Sequence, residues 1–215
     1  MAICLLVGWL VGLGSAKDFV EPFDAGSVTW RVVGTNELQR PGDLLLQQKR
    51  LDMGDQSVEY MSVGAGRDGV PLQLESTVPA SRVLDELQLS LRLRSNQAGA
   101  VLGLRVVLPN QTDPGTGRSV VEVIDGDTYT HAYEWQELRC GTTSKLMERR
   151  MQLVRRRLGS NVDTRGMYVD RVVLKFRAGR GVTEFAFDEL RLGPLVAASS
   201  ANTVVPVQHL DDDAK

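Results

Sequence analysis

What this chain lacks narrows its chemistry before any motif is read. It holds only two histidines, His131 and His209, and two cysteines, Cys4 and Cys140. Neither histidine stands in a motif, and there is no G-x-S-x-G, no HExxH and no Cys/His cluster of metal spacing, which argues against triad hydrolysis and zinc chemistry. Aromatic residues make up 6% of the chain, so any sugar-stacking surface must be built from very few rings. Charge of one sign is missing as well. A formal net charge of −2 leaves no footprint for nucleic acid or for an anionic membrane as the main partner. No apolar run reaches the roughly 20 residues of a comfortable membrane span.

The longest apolar run is 1–16, MAICLLVGWLVGLGSA. Gly14 and Ala16 are small residues at the −3 and −1 positions of a cut before Lys17, which reads as a signal peptide. Its missing basic n-region leaves an uncleaved anchor as the alternative. Cleavage would remove Cys4, and Cys140 would then stand alone in a protein exported without an intramolecular disulfide. Such a protein would be secreted, periplasmic or at the cell surface, with no membrane contact after cleavage. Core packing must then supply its stability, helped if need be by a bound ion.

What is present is alternation. Leu87, Leu89, Leu91 and Leu93 alternate with Gln88, Ser90 and Arg92, the period of a strand with one buried face. Leu102, Leu104, Val106 and Leu108 repeat the pattern as far as Pro109. Further strands are expected at 28–32, with Val28, Trp30 and Val32 on one face, and at about 44–51, 57–63, 70–78, 119–124 and 134–140. The segment 109–118, PNQTDPGTGR, reads as a surface loop, and Asp125-Gly126-Asp127 as a turn. Residues 166–192 read as a closing β-hairpin. Val172, Leu174 and Phe176 form the core face of its first arm, and Ala178 to Gly181 form its turn. In the second arm Phe185 and Phe187 differ in parity from Leu190 and Leu192, so a β-bulge at Asp188-Glu189 is needed to bring all four inside. Nine or ten strands at these spacings predict an all-β sandwich of jelly-roll type over 17–194.

One amphipathic helix interrupts the series, over 144–158. Ser144 is its expected N-cap and Gly159 its C′ residue, and Met147, Met151, Val154 and Leu158 make an apolar stripe. Its other side carries Lys145, Arg149, Arg150, Arg155, Arg156 and Arg157, a solvated face or else a dock for an acidic polysaccharide or partner surface. The helix is expected across one end or edge of the sandwich. Residues 195–215 lose periodicity and end near Asp211-Asp212-Asp213, as a linker or tail does. The string GAGRDG at 64–69 matches G-x-G-x-x-G literally, but no helical period follows it, so it reads as a glycine-rich hairpin loop and not a dinucleotide fingerprint. Asn110-Gln111-Thr112 is a glycosylation sequon where the host uses that chemistry.

The phrases PFDAGSVTW (22–30), DELQLSLRLRSNQAG (85–99), YEWQELRC (133–140) and VTEFAFDELRL (182–192) resemble the galactose-binding-like jelly rolls, a group that includes many carbohydrate-binding modules of bacterial glycoside hydrolases. The run from Arg105 to Leu192 resembles uncharacterised secreted bacterial proteins in which such a domain precedes others. The resemblance implies a galactose-binding-like sandwich with an inserted helix, acting as a non-catalytic module for a glycan or cell-surface polysaccharide, with neighbouring domains of the same protein as further partners. It also implies a structural calcium held near Asp24, with Glu21, and by Asp188 of the last strand. Two or three carboxylates would need carbonyls and water to complete that shell. The plain alternative has Asp24 capping a turn and Asp188 in solvent.

Sugar recognition needs an exposed ring to stack on a pyranose, with amides or carboxylates beside it. Trp30 reads as core. Tyr60, Tyr129, Tyr133 and Trp135 remain as candidates, with Tyr133 and Trp135 on one strand parity and Leu138 and Cys140 on the other. The expected protein is therefore a binding module and not an enzyme. The alternatives are a structural or protein-interaction sandwich, or a jelly-roll glycoside hydrolase or lyase with paired carboxylates across a cleft.

Overall fold

The computed structural model describes residues 17–24, 27–33, 45–53, 56–64, 69–179 and 181–198. The expected signal segment, residues 65–68 of the glycine string, His209 and the Asp211–Asp213 run lie outside them. Eleven strands and one helix follow in order: β1 (Lys17–Glu21), β2 (Trp30–Val33), β3 (Leu45–Met53), β4 (Gln56–Gly64), β5 (Pro71–Arg82), β6 (Gln88–Ser95), β7 (Val101–Thr112), β8 (Ser119–Thr128), β9 (Gln136–Gly141), α1 (Ser144–Leu158), β10 (Tyr168–Arg177) and β11 (Val182–Leu195).

All pairings are antiparallel, and they nest. The innermost pair is β7 with β8, enclosed in turn by β6 with β9, β5 with β10, and β4 with β11. Folding this nest in two gives one sheet ordered β3-β4-β11-β6-β9 and a facing sheet ordered β2-β5-β10-β7-β8, which is a jelly-roll sandwich. β1 joins the first sheet by pairing with the end of β11 beyond the point that β4 reaches.

Alternation sets the core. Leu89, Leu91 and Leu93 of β6 face Leu102, Leu104 and Val106 of β7 and Val172, Leu174 and Phe176 of β10 across the sandwich, all within one buried cluster. Each such side chain contributes roughly 1.5–3 kcal/mol by leaving water. Phe187 stacks on Trp30 with centroids 4.6 Å apart, and Phe176 meets Phe185 edge-on at 4.8 Å, so aromatic contacts tie the two sheets together. The β11 bulge is present. Its pairing with β6 shifts between Asp188 and Arg191, Glu189 takes φ 48°, and Phe185, Phe187, Leu190 and Leu192 all lie in the core.

Several expectations need correction. The closing hairpin is not a hairpin, because β10 pairs with β5 and β7 while β11 lies in the opposite sheet between β4 and β6. Likewise the glycine string joins β4 to β5 across the sheets, and a strand follows it, not a helix. Asp125-Gly126-Asp127 is not a turn but part of β8. Gly126 is required there because a Cβ would strike the Arg139 carbonyl and Cys140 of β9. The 109–118 loop shrinks to 113–118, since β7 continues to Thr112; Asp113 Oδ1 accepts from Gly115 N and Thr116 N to hold the turn. Val28 precedes β2 and is exposed, leaving Trp30 and Val32 as the inward residues of that strand.

The helix matches its expected span and buries Met147, Met151 and Val154. Thr143, not Ser144, is the N-cap; the Ser144 hydroxyl donates to Asp85 instead. Two of its arginines have a packing role that a solvated face does not describe. Glu122 lies on the core-facing parity of β8 between Val120 and Ile124, and accepts from Arg150 at 2.9 Å and Arg157 at 2.8 Å. The helix thus covers the edge strand and neutralises a nearly buried carboxylate, while Lys145, Arg149, Arg155 and Arg156 stay exposed.

Candidate functional site

The outer face of the β3-β4-β11-β6-β9 sheet is set by the same parity that builds the core. Where Met61, Phe185, Leu93 and Leu138 point inward, their neighbours Tyr60, Glu184, Ala186, Arg94, Arg92 and Glu137 point out. Register aligns them into rows: Lys49 opposite Tyr60, Tyr60 opposite Ala186, and Ala186 opposite Arg94. A groove of about 230 Å³ runs over the small Ala186, walled by Tyr60 and Leu51 on one side and Tyr133 on the other, with Arg94, Asn96 and Glu184 among its polar lining.

Tyr133 stands in the loop between β8 and β9 and is 65% exposed. Its backbone takes φ 68°, a left-handed conformation that costs a non-glycine residue about 1–2 kcal/mol. Neighbouring bonds impose that conformation. Tyr133 N donates to the Ser95 carbonyl at 2.6 Å, and the Tyr133 carbonyl accepts from Arg94 Nε at 2.9 Å. Beneath it the Tyr129 hydroxyl takes the Ser95 N–H at 3.0 Å and lies 2.7 Å from the Glu134 carbonyl. Gln136 Oε1 accepts from Thr130 N and His131 N, closing the loop on itself. The local strain is held by three anchoring side chains, Arg94, Tyr129 and Gln136, and by the Ser95 backbone, a pattern found where a loop serves function.

The four candidate aromatics therefore divide. Tyr60 and Tyr133 meet at the groove. Trp135 is half-buried beside it with the Arg92 guanidinium 5.0 Å from its ring centroid, and Arg92 in turn pairs with Asp188 at 2.9 Å. Tyr129 is fully buried and cannot stack on a ligand; it is a post for the loop. Tyr133 and Trp135 lie ahead of β9, so the strand parity expected for them does not apply, while Leu138 and Cys140 are the inward residues. Arg94, Glu184 and Lys49 carried no signal beyond standing on wet strand faces, and Asn96 none beyond its place just after β6.

Electrostatics at the groove are specific. The Tyr60 hydroxyl donates to Glu184 Oε1 at 2.6 Å, and burial together with that carboxylate pushes the phenol up to about 12. Lys49 Nζ lies 5.6 Å from the Tyr60 ring centroid. Glu184 is the one carboxylate in the lining, so paired-carboxylate glycoside chemistry finds no second member among these residues. A second, polar groove of about 310 Å³ on the same face is lined by Asp18, Gln88, Ser90, Glu137, Arg139 and Arg191 and has no ring.

The residues expected to hold calcium lie in different surroundings. Asp188 is paired with Arg92, Glu21 accepts from Phe23 N and faces Arg50, and Asp24 is exposed. Among the described residues no three His, Cys, Asp or Glu side chains are placed to share a metal. No helix among them is long and apolar enough to cross a membrane.

In comparisons with known proteins, no family model and no curated protein matches the chain. Solved structures that match include the family 11 carbohydrate-binding module of the cellulosomal cellulase Lic26A-Cel5E of Clostridium thermocellum, with TM-score 0.46 and 10% identity over 83% of this chain and 95% of that one. The family 30 carbohydrate-binding module of the cellulase Cel9D-Cel44B of the same organism gives 0.44 and 17% over 82% and 97%. The CBM22-1 xylan-binding domain of Paenibacillus barcinonensis Xyn10C gives 0.42 and 11% over 84% and 95%. At these identities the likeness goes no further than the arrangement of strands, which the pairing above establishes independently.

Proposed function

We propose that this jelly roll is a non-catalytic glycan-binding module whose site is the groove between Tyr60 and Tyr133. The observation that carries the proposal is the raised, exposed Tyr133 ring, held in a left-handed backbone by Ser95, Arg94, Tyr129 and Gln136, across a groove from a second tyrosine. A ring left 65% exposed and fixed at a backbone cost returns only a minor part of the packing an aromatic can supply. A pyranose offers an apolar face for the rings and hydroxyls for Asn96, Glu184 and Arg94. The outer face of a sheet is rigid, so little ordering is needed on binding, which favours affinity. Export through the 1–16 segment belongs to the same proposal, since polysaccharide ligands of this kind lie outside the cell.

Affinity electrophoresis of residues 17–198 through gels holding xylan, mixed-linkage glucan, galactan or polygalacturonate tests the reading. Retardation by one polymer class, lost in Tyr133→Ala, is the expected result. A folded protein that none of the four retards would overturn it.

A further inference from the structure

We infer that the groove selects glycans bearing uronic acid units, with Arg94 as the receptor for the sugar carboxylate; the inference rests on the glycan reading above. The other described arginines of this sheet face have carboxylate partners of their own. Arg92 pairs with Asp188, Arg139 with Glu137, and Arg191 with Glu189. Among the described residues no carboxylate lies within ion-pair distance of Arg94, although it lines the groove and is half-buried.

Its one hydrogen bond in the described structure decides how it can be used. Nε donates to the Tyr133 carbonyl at 2.9 Å, which fixes the plane of the guanidinium and leaves both terminal nitrogens for a ligand. Two parallel N–H donors in one plane match a carboxylate in bidentate fashion, and such charge-assisted bonds are roughly twice as strong as those to a hydroxyl.

The charges around Arg94 agree with this use. Glu184, the one acid of the lining, is engaged by the Tyr60 hydroxyl at 2.6 Å, and Lys49 adds a second positive charge over the far side of Tyr60. Arg94 and Glu184 balance each other within the lining, and Lys49 beside it brings the sum to one positive charge near the two rings. The second groove, by contrast, has its Arg139 and Arg191 already neutralised by neighbouring glutamates.

The test compares titration calorimetry of hexagalacturonate and glucuronoxylan oligosaccharides with that of neutral xylohexaose and a mixed-linkage glucan hexamer. It uses wild type, Arg94→Gln and Arg94→Lys, each first shown to be folded by its melting curve. Wild type is expected to bind the acidic ligands about tenfold tighter than the neutral ones. Arg94→Gln loses the bond to the Tyr133 carbonyl and so weakens both kinds of ligand, but it should weaken acidic binding about tenfold more and so abolish the preference, with Arg94→Lys falling between. Raising NaCl from about 20 to about 300 mM should erode only the acidic preference. Neutral ligands bound as tightly as acidic ones, or a preference that survives Arg94→Gln, overturn the inference while the glycan reading stands. Binding of neither kind overturns both.

Discussion

Replacing Tyr133 by glycine separates binding from stability more cleanly than any other change in this chain. Three effects set the stability outcome. Glycine accepts φ 68° without penalty, recovering about 1–2 kcal/mol of left-handed strain. Its greater freedom in the unfolded chain returns about 0.5–1 kcal/mol of that. The ring is 65% exposed, so the burial lost is roughly a third of the 150–250 Å² of a fully buried aromatic, or about 1–2 kcal/mol at 25 cal/mol per Å². Together these leave a net change between about +0.5 and −2 kcal/mol, so the unfolding free energy from urea melts should fall by no more than about 2 kcal/mol, or roughly 4–8 °C in Tm. Tyr133→Ala loses the same ring and keeps the strain, so it should be the less stable of the two by up to about 1 kcal/mol. Binding follows a different order. Both variants lose the stacking surface and should bind the retarding polysaccharide at least about tenfold more weakly, in line with aromatic stacking contributions of about 1–3 kcal/mol. Destabilisation of the glycine variant beyond about 2 kcal/mol would show that Tyr133 is a packing residue. Undiminished affinity would remove it from the site.

Other consequences follow from buried groups. Glu59 is fully buried and accepts from Thr29 N at 2.9 Å and Trp30 N at 3.0 Å while facing Arg50 at 3.3 Å, so Glu59→Ala strands several donors and a cation and should cost about 3–5 kcal/mol in urea unfolding; a loss under about 1 kcal/mol would contradict that role. Cys140 is buried and its thiol is pushed up to about 12 by burial first and by Asp125 second, so it should resist a thiol reagent at pH 8 until the protein is unfolded, and rapid native-state labelling would count against the packing described. Tyr60 has its pKa raised from 10.0 to about 12, so its contribution to stability is complete below pH 10 and is lost as the pH rises from there through about 12. Tyr168 is also raised, by burial first, so absorbance titration at alkaline pH should show a late component near pH 12 that shrinks in Tyr60→Phe, and identical curves would contradict the Tyr60 to Glu184 bond.

How much of this was legible in the sequence depended on whether the information was local. The leucine ladder of β6, the bulge after Asp188 and the apolar stripe of α1 are statements about neighbours a few residues apart, and all three are present as read. The hairpin over 166–192 was misread because strand parity says which face is buried and not which strand lies alongside; β10 and β11 alternate as two arms of a hairpin would, yet they belong to opposite sheets. Gly126 looked like a turn residue but is a point of close approach to β9, a fact held by residues thirteen and fourteen positions away. The carboxylates of Glu59 and Glu122 on core-facing parities make sense only through Thr29, Gln48 and Arg50, or through Arg150 and Arg157. At the site, Tyr60 and Tyr133 were foreseen as rings, but their meeting needs the register of β4, β11 and β6. Tyr129 was misplaced because an aromatic at a strand end reads the same whether it props a loop or presents itself on one.

The most direct test of the central claim is an amide NMR titration of the protein with the oligosaccharide of whichever polymer retards it. The account predicts shifts concentrated at Tyr60, Arg94, Asn96, Tyr133 and Glu184, with the β2-β5-β10-β7-β8 sheet undisturbed. Shifts confined to that opposite sheet or to α1, with the groove silent, would contradict it.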